Sequence, residues 1–180
     1  MAEPGSRNNA RLTLIITIVA AVLLSACLAG ITGIVLWGRS IAHDDTRQTV
    51  GVGEAALDGN FEFRVHQIRC GIERLGDEYV SQVAFGQFCL VEIAIRNIGD
   101  RPAIFSDELQ RAYGPTGEEY ATDSGAGILV NPSQQMFLNE LDPGNEVVGV
   151  VVYDIPPETR ITRLQLRERE SSTGVAVLVE

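Results

Sequence analysis

The stretch CLVEIAIRNIGD, Cys89 to Asp100, decides how this chain folds. Cys89, Val91, Ile93 and Ile95 alternate with Leu90, Glu92, Ala94 and Arg96. A period of two residues is that of a β-strand, with the first set facing a core. Asn97-Ile98-Gly99-Asp100 then ends the run with a turn signal.

Upstream, Phe61, Phe63 and Val65 alternate with Glu62, Arg64 and His66, while Ile68 and Cys70 continue out of phase. A β-bulge near His66–Gln67 reconciles the two halves. Cys70 and Cys89 then fall in phase with core positions of neighbouring strands, as a buried bridge requires. Downstream, a short strand is expected at Pro102–Phe105, with β-like pieces near Gln110–Tyr113, Glu119–Thr122, Ile128–Val130 and Gln135–Leu138. Gly114-Pro115-Thr116-Gly117 and Asp142-Pro143-Gly144-Asn145 are turns, because Pro fixes φ and Gly accepts a positive φ. Glu146–Ile155 (EVVGVVVYDI) is nearly all apolar and reads as a central strand covered on both sides, stopped by Pro156-Pro157. Ile161–Leu166 and Val175–Val179 complete a set of roughly eight or nine strands separated by turn signals, the pattern of an antiparallel β-sandwich. No stretch after Trp37 keeps a helical period over three turns.

Ahead of this region lies a second strong signal. From Leu12 to Trp37 no residue is charged, and as a helix the run would extend about 39 Å, enough to cross a bilayer core. Arg7 and Arg11 precede it, and Trp37 sits where an interfacial aromatic would. The excess of positive charge before the run places the N-terminus inside the cell. The expected organisation is a cytoplasmic N-terminus at 1–11, a transmembrane helix (a signal anchor) at 12–37, an extracytoplasmic tether at 38–53 and an all-β sandwich at 54–180. Ser25, Ala29 and Gly33 form a small-residue stripe suited to docking a partner helix.

Charge narrows the class of partner. The chain has a formal net charge of −10, and the residues before Trp37 contribute +1 (Arg7, Arg11 and Glu3), so the outer part carries −11. Such a surface disfavours nucleic acid and anionic lipid head groups. The even cysteine pair outside the membrane is most simply a disulfide, closing a loop that restricts the unfolded chain by about 3 kcal/mol. Two buried free thiols are the alternative; a zinc site lacks partner ligands.

The succession FEFRV at 61–65, RCG at 69–71, GDEYV at 76–80 and GQFCLVEIAIRNIGD at 86–100 resembles a telokin-like family, and LNELDPGNEVVGVVVYDIPP at 138–157 extends the match. The resemblance covers roughly Val50–Glu180. These are small immunoglobulin-fold domains of unknown function, abundant in actinobacterial exported and membrane-anchored proteins and similar in fold to a secreted immunoprotective antigen. It implies an immunoglobulin-like sandwich and an extracytoplasmic location, and its cysteine pair matches Cys70 and Cys89. It carries no agreed activity, so no catalytic residue transfers.

Little in the chain suggests catalysis. His43 lies in the tether and His66 on the polar face of a strand; Ser124 lacks the motif of a nucleophile elbow. Asp107-Glu108 and Glu118-Glu119 are adjacent pairs, and neighbours on a strand point to opposite faces. No Asp-x-Asp-x-Asp-Gly loop exists, so a calcium site would need separate loops. Gly51-Val52-Gly53 lacks the rest of a phosphate loop. The expectation is a non-enzymatic binding module with no cofactor, whose partner is an unidentified envelope protein or surface ligand; the alternative is a cell-wall accessory enzyme. Tyr113 and Tyr120, with the Gly-rich stretch Ser124–Gly127, are the candidates to face a ligand, although both tyrosines also suit core packing.

Leu24-Ser25-Ala26-Cys27 matches a lipobox, which would lipidate Cys27 and remove all that precedes it. Cleavage there would leave ten apolar-rich residues, Leu28 to Trp37, ahead of the polar tether. A lipoprotein normally continues straight into such a tether, so the intact helix is preferred. Fatty-acid labelling in cells should leave the chain unlabelled; label that appears on the wild type and vanishes with Cys27→Ser would establish the lipidated anchor instead.

Overall fold

The computed structural model describes residues 48–131 and 139–180. The expected cytoplasmic segment, the membrane helix 12–37 with Cys27, the tether as far as residue 47 with His43, and the strand expected at Gln135–Leu138 lie outside the described residues.

Two sheets face each other. In chain order the strands are β1 (Thr49–Gly51), β2 (Ala55–Asp58), β3 (Phe61–Gly76), β4 (Ser81–Asn97), β5 (Arg111–Tyr113), β6 (Glu119–Ala121), β7 (Glu146–Ile155), β8 (Arg163–Leu166) and β9 (Val175–Leu178). A four-stranded sheet has the order β2-β3-β4-β7, and a five-stranded sheet the order β1-β9-β8-β5-β6. All pairings are antiparallel except β1 with β9. One helix, α1 (Ser124–Val130), follows β6.

The alternation in β3 and β4 does what its period dictates. Phe61, Phe63 and Val65 oppose Asn97, Ile95 and Ile93, and all of these are buried. His66 is the extra residue of a bulge, since Val65 pairs with Ile93 and Gln67 with Glu92. Across the core stand Ala112, Leu164, Leu166, Val175 and Val177 of the second sheet. Phe61, Phe63 and Phe105 meet edge to face at centroid distances of 5.9, 6.5 and 6.2 Å, a favoured geometry for aromatic rings. Buried Asn97 ends β4: its amide donates to Arg101 O and Leu141 O at 2.8 and 2.7 Å, and its Oδ1 accepts from Gly99 N.

Several expectations need correction. The end of the predicted tether is strand β1, in which Val50 packs on the core and Gln48 O accepts from Ala176 N. Three residues are too few to leave a legible alternation. Pro102–Phe105 forms only a single bridge, Ala103 to Leu141. Ile128–Val130 belongs to α1, not to a strand; Asp123 caps this helix by accepting from Ala126 N. Strand β7 is an edge rather than a centre of its sheet. It is nonetheless covered on both faces, because Val152 joins Leu75, Phe88 and Leu90 in a second apolar cluster under Ala126 of α1. Its outer edge is also closed by the helix ends. Asp123 N donates to Val152 O, and the Asn131 side chain exchanges two bonds with the Val150 backbone. Capping an edge in this way removes a template for unwanted strand pairing.

Cys70 and Cys89 form a disulfide between β3 and β4. The expectation of a buried bridge is half right: Cys89 is fully buried, whereas Cys70 is exposed. The bridge sits two residues before β4 loses its pairing with β7 and the β3–β4 hairpin extends beyond the four-stranded sheet. Replacing Cys70 by Ser should lower stability by about 3 kcal/mol under oxidising conditions. A denaturant melt checks this; a midpoint equal to wild type would show that the loop is held without the bridge.

Candidate functional site

Beyond the disulfide, β3 and β4 extend as a two-stranded hairpin, because pairing of β4 with β7 stops at Gln87 and Ile155. At its tip, Asp77 Oδ1 accepts from Tyr79 N and Val80 N, both at 2.8 Å, and Asp77 N donates to Val80 O. The backbone bonds from Val80 and Tyr79 hold the Asp77 carboxyl below its ordinary range. One face of the hairpin, with Leu75 and Ala84, packs towards α1. The other carries Val83, and Phe85 stands on the irregular stretch that follows.

Phe85 is displayed by a large irregularity in the ladder. Ile72 pairs with Phe88 and Arg74 with Val83, so residues 84–87 stand opposite Glu73 alone. Three of these four residues, Phe85, Gly86 and Gln87, are tied down. The Asp154 carboxylate accepts from Phe85 N at 2.6 Å and from Gly86 N at 3.0 Å. Gln87 Nε2 donates to Pro156 O and Thr159 O at 3.1 and 2.9 Å. At Gly86 the backbone approaches β7 so closely that a Cβ would lie 2.2 Å from Ile155 O, leaving room only for glycine. The outcome is a run of large apolar side chains in solvent: Tyr79 is 89% exposed, Val80 61%, Val83 55% and Phe85 102%. Lone exposed apolar residues need no explanation, but four within seven residues of chain do.

Beside Phe85 lies an open cleft of about 470 Å³ floored by Tyr120, Ile155, Pro156 and Pro157. It shares Asp123 and Asp154 with a neighbouring depression that reaches Glu108 and Ser124. The ion pairs among the described residues are Arg101–Asp100, Arg111–Glu119 and Arg169–Glu168, and none involves these three cleft acids. The site is therefore apolar on one side and acidic on the other, where Asp123 accepts from Gln82 and Ala126 and Asp154 from Phe85 and Gly86.

The two candidate tyrosines separate. Tyr120 pairs with Ala112 and faces inward, packing on the core while lining the cleft. Tyr113 pairs with Glu119 and so points to the opposite face of the sheet. There its hydroxyl lies 2.9 Å from both Glu119 Oε2 and Gln165 Oε1, and the Arg163 guanidinium sits 3.8 Å over its ring. Burial, then the Glu119 bond, raise its pKa. The Gly-rich stretch after Asp123 is helix α1 rather than a loop. Asp107 and Glu108 occupy a 3-10 turn, Asp107–Leu109, so the strand geometry expected of them does not apply. His66 is exposed on β3 and is not among the cleft residues. Tyr153 is buried, and desolvation pushes its hydroxyl pKa up, so it stays a neutral phenol. Among the described residues no three His, Cys, Asp or Glu side chains gather as a metal site. Phe85 was not legible as a site residue: its exposure depends on Asp154, far along the chain.

Residues 50–176, from within β1 to within β9, match the model of a domain of unknown function, DUF4352. The chain belongs to this family. The DUF4352 domain here is similar in fold to a secreted protein of Mycobacterium tuberculosis, MPT63, at 10% identity and a TM-score of 0.55, covering 74% of this chain and 98% of that one. It is also similar to the yjhA protein of Bacillus subtilis, at 14% identity and a TM-score of 0.53, covering 72% and 99%. No functionally curated protein matches the chain. At such identities these likenesses concern the β-sandwich alone.

In the DUF4352 domain the bulge hinges on one carboxylate, which gives a direct test. Asp154→Ala should remove two charge-assisted bonds and cost about 1–3 kcal/mol. Amide hydrogen exchange should accelerate at Phe85 and Gly86 and stay unchanged in β8 and β9. Unaltered protection at Phe85 and Gly86 would mean that something else holds the bulge.

Proposed function

We propose that this chain is a membrane-anchored, extracytoplasmic, non-enzymatic interaction module, its sandwich an immunoglobulin-like domain of the telokin-like kind, and its partner an envelope protein or surface ligand. The observation that carries the proposal is Phe85, a fully exposed aromatic held on a bulge by Asp154, Gln87 and the close approach of Gly86 to Ile155. An aromatic that binds a partner needs little ordering when its backbone is already fixed, which lowers the cost of association. Bulges commonly re-aim a side chain next to a working site.

Location rests on the uncharged run Leu12–Trp37, on the charge asymmetry around it and on the Cys70–Cys89 bridge, a bond that persists in oxidising compartments. One solved protein of similar fold is described as secreted, in keeping with this location. An accessory hydrolase would need His66 beside a Ser or Asp in a deep pocket, and the exposed position of His66 on β3 gives that alternative no support.

A photo-crosslinking residue placed at position 85 in living cells should form an adduct with one defined envelope component. The same residue at Leu178, exposed on β9 of the other sheet, should not. Silence at position 85, with the protein folded and in place, would remove the proposal.

A further inference from the structure

We infer that the partner presents an extended, basic protein segment in which arginine or lysine alternates with large apolar side chains, and that this segment lies along Tyr79–Phe85 and into the adjoining acidic cleft. This deepens the binding reading above and rests on it.

Three features converge. First, the apolar row is elongated. From Val80 to Val83 a strand spans about 10 Å before the chain swings out at residues 84–87 to Phe85, so the exposed side chains reach further than one small ligand group. Val83 and Phe85 are both exposed with only Ala84 between them, so large apolar side chains spaced along a partner segment would meet both. Second, the row is bracketed by acids. Asp77 and Glu78 stand at the tip; Glu108, Asp123 and Asp154 line the depressions beside Phe85. The nearest base on the hairpin, Arg74, bonds to Ser81 Oγ at 2.9 Å. Third, the cleft beside Phe85 has an apolar floor, Tyr120 with Pro156 and Pro157, against which an aliphatic stem or aromatic ring can lie while a cationic head reaches the carboxylates.

Charge selects among occupants. A second copy would bring its own Asp77, Glu78 and Asp154 against these, within an outer part already at −11 (−10 for the chain, +1 ahead of Trp37). Anionic lipid head groups meet the same repulsion. A basic segment is attracted at long range and loses least on desolvating its charge beside carboxylates that are in none of the ion pairs among the described residues.

The test uses the full chain in detergent micelles and three fluorescent octapeptides: alternating Arg–Phe, alternating Arg–Ser and alternating Glu–Phe. Anisotropy should report binding of Arg–Phe, with the other two weaker by roughly tenfold or more, as expected when a central aromatic anchor and complementary charge act together. Phe85→Ser, a change at a fully exposed position, should weaken Arg–Phe binding by roughly tenfold while leaving the thermal melt unchanged. Glu108→Gln removes a cleft charge whose carboxylate caps no backbone, and should weaken it about threefold, an effect that high salt abolishes. Equal binding of Glu–Phe, or indifference to Phe85→Ser, overturns the inference. Self-association of the chain that disappears with Phe85→Ser also overturns it, in favour of a second copy. A crosslink at position 85 in cells without Arg–Phe selectivity would reject the basic segment and leave the interaction module standing; loss of both would reject the module itself.

Discussion

The pleat of β4 sorts its side chains between two apolar compartments, and the rest of the fold is arranged around that sorting. Cys89, Val91, Ile93 and Ile95 point into the core between the sheets, while Phe88 and Leu90 point out beneath α1. A slip of one residue against β3 would exchange the sets, driving Glu92 and Arg96 into the sandwich. The register of its core-facing half, Cys89–Asn97, is held at both ends, by the cysteine bridge at one and by the Asn97 side chain at the other. With β4 fixed, β7 must pair beside it, and α1 must follow to cover the outer cluster.

The same ladder is then used loosely at its far end. Up to Cys89 the strands obey the needs of a core; beyond it β3 takes an extra residue at Gly71, with φ 84, and β4 takes its long excursion at 84–87. Irregular backbone would ordinarily be soft. Here the Phe85 and Gly86 amides donate to the Asp154 carboxylate, and the Gln87 side chain donates to the carbonyls of Pro156 and Thr159, both beyond the end of β7. The end of β7 thus serves as a frame for the display of Phe85, and the diprolines that stop β7 also floor the cleft. Few of these groups belong to the core, so the surface can vary without disturbing the sandwich.

What could be read in the sequence followed the reach of each interaction. The alternation at 89–96 and 61–65, the bulge at His66 and the turn at Asn97 are local patterns and were legible. Strand β1 was not, because a three-residue strand is defined by its partner Val175–Leu178. Helix α1 was hidden by Gly125 and Gly127, residues of low helical propensity that fold here because Asp123 caps the start and β7 supplies an apolar bed. Tyr113 and Tyr120 looked equivalent in the sequence; a register in which Ala112 meets Tyr120 assigned them to opposite faces. Phe85 gave no local signal, since nothing nearby announces that Asp154 will accept from its amide.

The unequal burial of the two cysteines has a chemical corollary. Cys70 is exposed and Cys89 fully buried, so a thiolate approaching the bridge meets Cys70, the mixed disulfide forms there and the departing sulfur is that of Cys89. That leaving group would carry its charge into an apolar core, where it is poorly solvated. Thiol exchange at this bond is therefore directed to one sulfur and opposed by the environment of the other.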